Sequence, residues 1–149
     1  MRLLTLLLAG LFAGTLPAAD DKKDKPKDED GIVGVWKVEK LDDGSGKEPP
    51  AEEVGKMRLT FSKDGKLVSR QSFGGESKGE YKLDTSAKPK AIEITESQRP
   101  TLGIYELDGD SLKICVSQNK TRPPDLKPDS KAGHVLLILK RVKDEKKDK

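Results

Sequence analysis

The sequence has one cysteine, one histidine and few aromatic residues, which make up 4% of its 149 positions. A single cysteine excludes a disulfide framework, and one histidine without a cysteine cluster excludes the usual zinc ligand sets. Basic residues number 29 and acidic residues 26, so the net charge is only +3, and a strongly basic nucleic-acid-binding protein is not expected. The length fits one domain with tails, which excludes a multidomain enzyme.

Long apolar runs are scarce as well, because hydrophobic residues make up only 33% of the chain. One such run, Leu3 to Phe12, follows Arg2. It has the length of the apolar region of a signal peptide and is too short for a membrane span. Small residues around Ala18 and Ala19 offer a cleavage site. Residues 1–19 therefore predict a signal peptide and export to the periplasm or the cell exterior, without stable membrane insertion after cleavage. A retained anchor is the alternative.

The segments 20–30 and 142–149 are rich in charges of both signs and nearly free of apolar residues. Such segments bury too little surface to offset the entropy lost on ordering, so both are predicted to be disordered, as a linker and a tail. A single folded domain is predicted over residues 31–141.

Within this domain, short segments alternate apolar and polar residues and are separated by glycine, proline and aspartate, a pattern typical of β-strands. One short helix is predicted over 49–54, because proline and glutamate favour a helix N-terminus. A long loop is predicted over 118–133. The predicted strands cover residues 35–38, 56–62, 67–73, 79–83, 91–95, 101–107, 111–117 and 135–141.

Eight short strands joined mostly by tight turns favour an all-β fold with neighbouring strands antiparallel. An open sheet of eight strands would leave two unpaired edges, and closure removes them. The sequence therefore predicts an eight-stranded antiparallel up-and-down barrel. An open sandwich is the alternative.

The first predicted strand opens with Gly34-Val35-Trp36, and the last one ends at Arg141. This G-x-W motif, with an arginine at the end of the chain's last strand, resembles the lipocalins and related barrels. The resemblance implies that Trp36 closes one end of the barrel and that Arg141 stacks over the indole ring. Gly34, Trp36 and Arg141 are thus expected to be structural residues.

A longer set of motifs runs through the domain: PKAIEI, GIYELDGDSLKIC, RPPDL and HVLLILKR. Together with the G-x-W strand they resemble an uncharacterised, exported domain family of the planctomycete type, and this resemblance implies a lipocalin-like barrel. No catalytic residues are assigned in that family, so none is transferred here. Leu126 stands where its members often have an aromatic residue, which leaves an aromatic anchor there in doubt.

Three side chains are candidates for ligand binding. The hydroxyl groups of Tyr81 and Tyr105 are suited to line a pocket, although both rings are equally suited to a core. Arg122 lies in the long loop and is able to clamp a carboxylate or phosphate. The alternative for Arg122 is an ion pair that pins the loop across one end of the barrel.

Cys115 and His134 are the two side chains with nucleophilic or proton-transfer chemistry. Cys115 is out of phase with Leu112, Ile114 and Val116, beside Lys113. It is either a reactive thiolate or a small buried residue beneath a loop. A Cys–His pair requires that His134 lie close to it in space.

The acidic residues offer weaker candidates. Asp108 and Asp110 flank a glycine and indicate a turn rather than a calcium loop, which needs more oxygen ligands. Glu93 and Glu106 are candidates for a carboxylate pair or for solvated surface residues. No phosphate-binding glycine loop, G-x-S-x-G or H-E-x-x-H motif occurs. Accordingly no catalytic residue, metal site or cofactor is predicted.

Two functions remain open. The chain is either a lipocalin-like domain that binds a small apolar ligand in its barrel, or a filled barrel that serves as a protein-interaction or structural module of the cell envelope. An enzyme is not expected, because no set of residues meets the requirements of a catalytic site. The expected partners are a small molecule or an envelope protein, with no nucleic acid, and the chain is expected to be a monomer.

Overall fold

The computed structural model describes residues 28–143, which form a closed eight-stranded barrel. Every strand pairs with its sequence neighbours in antiparallel register, and the last strand pairs with the first. The predicted closed barrel is thus confirmed and the open sandwich is excluded. The strands are β1 (Gly34–Asp42), β2 (Arg58–Phe61), β3 (Lys66–Arg70), β4 (Glu76–Asp84), β5 (Ala91–Thr95), β6 (Thr101–Asp108), β7 (Ser111–Ser117) and β8 (His134–Arg141).

Two short helices accompany the barrel, where the sequence predicts one. Helix α2 (Ala51–Val54) lies within the predicted segment 49–54, whereas α1 (Asp28–Ile32) begins inside the segment predicted to be disordered. Helix α1 is ordered because of contacts with residues far away in the sequence. Ile32 is fully buried, and distant strands hold both ends of α1. No helix among residues 28–143 is long and apolar enough to cross a bilayer. The predicted signal peptide lies outside the described residues, as do residues 20–27 and 144–149 of the two charged segments.

Strand β3 ends at Arg70, three residues earlier than the predicted strand 67–73. The chain turns at once, because Gln71 N–H donates to the Gly75 carbonyl at 2.7 Å and Gly74 N–H to the Gln71 carbonyl at 3.1 Å. Gly74 has a φ of 82°, which favours glycine. Phe73 therefore sits at a turn, with 87% of its surface exposed.

The barrel has two different ends. The closed end carries α1, the β2–β3 turn, the β4–β5 loop and the β6–β7 turn. The open end carries the connection with α2, the β3–β4 turn, the β5–β6 loop and the long 118–133 loop. The core fills the interior from the closed end upward. Its buried side chains include Trp36, Phe61, Tyr81, Ile92, Tyr105, Leu112, Ile114 and Leu139.

Candidate functional site

Trp36 and Arg141 plug the closed end of the barrel. The guanidinium carbon of Arg141 lies 4.3 Å from the centre of the Trp36 ring, a cation–π contact of the kind that the lipocalin resemblance implies. Trp36 Nε1 donates to the Ile32 carbonyl at 2.8 Å, while the Arg141 guanidinium donates to the carbonyls of Val33, at 2.8 Å, and Gly31. Carbonyls at a helix C-terminus lack partners within the helix, so these two side chains hold the end of α1.

Gly34 is required by the same plug. Its φ is 136°, and a Cβ atom placed there would come within 2.7 Å of an Arg141 guanidinium nitrogen. An L-residue is strained at this backbone conformation and would displace the arginine. The glycine of the G-x-W motif therefore gives the guanidinium room to reach α1.

Tyr105 holds the other end of α1. Its hydroxyl donates to Asp28 Oδ2 at 2.9 Å, and the same oxygen accepts from Lys90 Nζ at 2.5 Å. Burial, followed by the hydrogen bond to Asp28, raises the pKa of Tyr105 above its ordinary value, because ionisation would place a second negative charge beside a carboxylate. The Tyr105 hydroxyl is therefore occupied by its hydrogen bond to Asp28 at the closed end of the barrel.

Tyr81 is also a core residue. Its ring packs edge-on against Phe61 at a centroid distance of 4.9 Å, and its hydroxyl donates to the Ser62 carbonyl at 2.9 Å. Burial raises the pKa of Tyr81 as well. Of the two roles open to each tyrosine from the sequence, the structure places both in the core, away from the open end.

Cys115 belongs to a second, smaller apolar layer on the outside of the barrel. It pairs in register with Ile104 on one side and Leu136 on the other, and Ile104 pairs with Ala91. The 118–133 loop covers Cys115, and Pro123 of the same loop is fully buried. The Cys115 thiol, fully buried, donates to the Lys127 carbonyl at 3.7 Å. Burial raises its pKa, and the nearby Asp125 carboxylate adds to the shift.

Cys115 and His134 are not directly paired. The register of β7 and β8 sets Cys115 opposite Leu136 and His134 opposite Ser117. The raised thiol pKa also opposes a thiolate nucleophile, which requires a lowered value. The alternative of a small residue buried beneath a loop is the one that the structure shows.

Arg122 lies exposed on the 118–133 loop, outside the barrel. Among residues 28–143, its guanidinium takes part in no ion pair within 4.0 Å. The pKa of Asp84 is lowered mainly by hydrogen bonds from Ser86, with a smaller effect of the Arg122 charge. Arg122 thus forms no close ion pair within the described residues, and the anion clamp stays a prediction.

The acidic candidates are also separate. Glu93 lies opposite Leu102, whereas Glu106 lies opposite Lys113, whose Nζ is 4.0 Å from it. Asp110 accepts from Arg141 Nε at 3.1 Å and so supports the plug. No group of three or more His, Cys, Asp or Glu residues suited to a metal ion occurs in the described part of the chain.

An apolar pocket of about 290 Å³ opens at the end of the barrel opposite the plug. Its walls continue the inner faces of the strands above the filled core, and Phe73 stands at its rim. These pocket residues were not predicted as a set from the sequence. The sequence held one signal of a site there: the alternation of side chains along their strands places two polar residues, Ser69 and Thr101, on the inward face. The apolar wall residues are Met57, Leu59, Leu67, Ile94, Val116 and Leu137.

The charged side chains at the pocket have partners in neighbouring side chains or in the backbone. Ser69 Oγ donates to Glu96 Oε1 at 2.7 Å, and Arg70 Nη2 lies 3.6 Å from Glu76 Oε2. Arg58 Nη1 donates to the carbonyls of Gly55 at 2.5 Å and Met57 at 3.0 Å. With its apolar walls, the pocket is suited to enclose an apolar group rather than to transfer protons or bind a metal.

No protein-family model matches this sequence, and no significantly similar sequence occurs among curated proteins. The fold is similar to the crystal structure of a DUF4847 family protein from Bacteroides vulgatus, with 13% identity and a TM-score of 0.49. The match covers 79% of this chain and 99% of that one. A likeness at this level gives no information about function. Membership of the planctomycete-type family stays a prediction.

Proposed function

We propose that the chain is an exported, lipocalin-like binding domain that holds a small apolar molecule at the open end of its barrel. The observation that carries the proposal is the 290 Å³ pocket with walls of Met57, Leu59, Ile94, Val116 and Leu137. Concave apolar pockets of this order are the usual form of small-molecule sites.

The division of the barrel into two halves supports this proposal. The half next to the plug is filled by aromatic and aliphatic side chains, so within the described barrel interior a ligand has room above Leu67 and Ile94. An apolar group that enters this space leaves water and contacts side chains already fixed by the strands, which reduces the entropy cost of binding.

The test is native mass spectrometry of the protein purified from its own host, with and without a pocket-filling change, Val116→Phe. A small molecule that co-purifies with the original protein and is lost from V116F is the expected result. Circular dichroism establishes that V116F is folded, and Thr60→Val on the outer face of β2 is the matched control. A folded protein free of any small molecule, which also binds no apolar dye, contradicts the proposal.

Export is part of the same proposal and rests on the leader-like residues 1–19. Cell fractionation followed by N-terminal sequencing tests it. A mature chain that begins near Asp20 and lies outside the cytoplasm is expected, whereas an uncleaved cytoplasmic protein contradicts it.

The second candidate is a filled barrel that acts as an interaction module of the cell envelope. The exposed ring of Phe73 favours it, because large exposed apolar side chains are common anchors at protein interfaces. Crosslinking in the host that captures one envelope protein through residue 73, with no small molecule in the purified protein, would favour this candidate.

A further inference from the structure

The charges around the pocket are balanced. Two guanidinium groups, on Arg58 and Arg70, and one carboxylate, on Glu96, line the pocket, and a second carboxylate, on Glu76, lies beside Arg70 just outside the lining. Arg70 pairs with Glu76, Glu96 accepts from Ser69, and Arg58 donates to backbone carbonyls. Each of these charged groups therefore already has a polar partner within the protein.

A charged group placed inside the pocket would therefore lose water against apolar walls without gaining an unpaired counter-ion. Burial of an ion without a partner is strongly unfavourable, and exchange of an existing ion pair returns only part of the loss. An uncharged ligand meets no such penalty at this rim.

The volume limits the size of the ligand. A closed apolar cavity of about 150 Å³ accommodates one benzene molecule. The pocket of about 290 Å³ is nearly twice as large, and it is open on one side. It is therefore suited to two fused aromatic rings or to an aliphatic group of similar bulk, with smaller substituents emerging at the mouth.

Phe73 is the covering residue of this site. Its ring borders the pocket, yet 87% of its surface is exposed. A ligand in the pocket would bury part of that ring and gain an aromatic contact. Gly74 and Gly75 have no atoms within 4 Å of where a Cβ would stand, so the turn has space around it.

We infer that the pocket takes an uncharged, bicyclic-sized apolar molecule and that Phe73 covers it. This inference rests on the proposed function, because it specifies the ligand class of the same pocket.

The test compares two fluorescent probes that share a naphthalene of the size of the pocket and a phenylamino substituent that would emerge at the open mouth. N-phenyl-1-naphthylamine is uncharged, whereas 8-anilinonaphthalene-1-sulfonate carries one sulfonate. The neutral probe is expected to bind with a dissociation constant at least tenfold lower. Equal affinity, or tighter binding of the sulfonate, overturns the inference while the pocket remains a binding site. Failure of both probes to bind contradicts the proposed function as well.

Charge balance is tested by Glu76→Gln, which removes the partner of Arg70. The sulfonate probe is expected to gain affinity by threefold or more in E76Q, while the neutral probe changes little. Glu106→Gln makes the same change of charge next to Lys113, away from the pocket, and is the control. Equal gains in E76Q and E106Q would mean that only the net charge matters, which overturns the argument from local pairing.

The covering role is tested by Phe73→Ser, for which Val35→Ser is the control at another exposed apolar position. F73S is expected to bind the neutral probe three- to tenfold more weakly, mainly through faster dissociation. V35S is expected to match the original protein. An unchanged dissociation rate of the neutral probe in F73S would show that Phe73 does not cover the pocket. Because Phe73 is exposed, loss of folding is not expected in F73S, and its thermal unfolding midpoint verifies this.

Discussion

Cys115 shows how a residue's chemistry depends on what covers it. Its position between Lys113 and a proline-rich loop was compatible with a reactive thiolate. In the structure the thiol is sealed by the loop and donates to the Lys127 carbonyl, so burial raises its pKa. A buried thiol with a raised pKa is a poor nucleophile.

We expect Cys115 to react with Ellman's reagent at pH 8 at least a hundredfold more slowly in the native protein than in 6 M guanidinium chloride. The rate in the native protein reports opening of the 118–133 loop. Rapid reaction without denaturant would show that the loop does not protect the thiol.

Gly34 must be small because of one neighbour, the Arg141 guanidinium. Gly34→Ala is expected to destabilise the protein by about 1–3 kcal/mol, because the new methyl group combines a left-handed backbone conformation with a clash against Arg141. Urea denaturation measures this change. Gly46→Ala is the control, since Gly46 also has a positive φ but has nothing within 4 Å of its Cβ position. If both variants lost the same free energy of unfolding, the backbone conformation would explain the whole effect and the clash with Arg141 none of it.

Helix α1 is the element that local sequence reasoning did not find. Five residues make too few hydrogen bonds to be stable alone, and the flanking charges indicated disorder. The helix forms because Arg141 and Trp36 bind its C-terminal carbonyls, while Tyr105 and Lys90 bind Asp28. All four partners lie outside the helix, so the sequence of the helix and its flanking residues does not reveal them.

The Tyr105–Asp28 contact makes the attachment of α1 sensitive to alkaline pH. Since the native pKa of Tyr105 is raised above the ordinary 10.0, the native state favours the neutral phenol. The resulting stabilisation is complete below about pH 10 and is lost as the pH rises through the native pKa. We expect the free energy of unfolding to fall above about pH 10.

Tyr105→Phe is expected to reduce this alkaline loss, and to cost about 1–2 kcal/mol at pH 7 for the missing hydrogen bond. Urea titrations at pH 7, 9 and 10.5 measure both effects. The raised pKa of Tyr81 acts in the same direction, so part of the loss should persist in Y105F. An identical pH profile in Y105F and the original protein would contradict the assignment to Tyr105.

At the scale of the whole molecule, closure of the barrel is set by the pairing of β1 with β8. Trp36 lies opposite Arg141 and Val38 opposite Leu139, with a bulge between Val38 and Lys40. Because the ring is closed, no strand of the barrel presents an unpaired edge, which protects the fold against edge-to-edge association.

Hydrogen exchange tests this closure. Amide protons in the middle of β1 and β8 are expected to exchange as slowly as those of β6 and β7. In an open sandwich, every second amide of an edge strand would exchange fast. Such alternating fast exchange along β1 or β8 in the native protein would contradict the closed topology.

The sequence by itself determined the number of strands, their up-and-down order and most of the turns, because alternation of apolar residues and glycine placement are local properties. It also placed Trp36 and Arg141 at opposite ends of the domain sequence. Only the tertiary structure decided that both tyrosines belong to the core, that Cys115 lies beneath a loop, that α1 is ordered, and that apolar wall residues from several strands form one pocket. The physical reason is that these features depend on the stagger of the strands around the closed barrel, which brings together residues far apart in the chain.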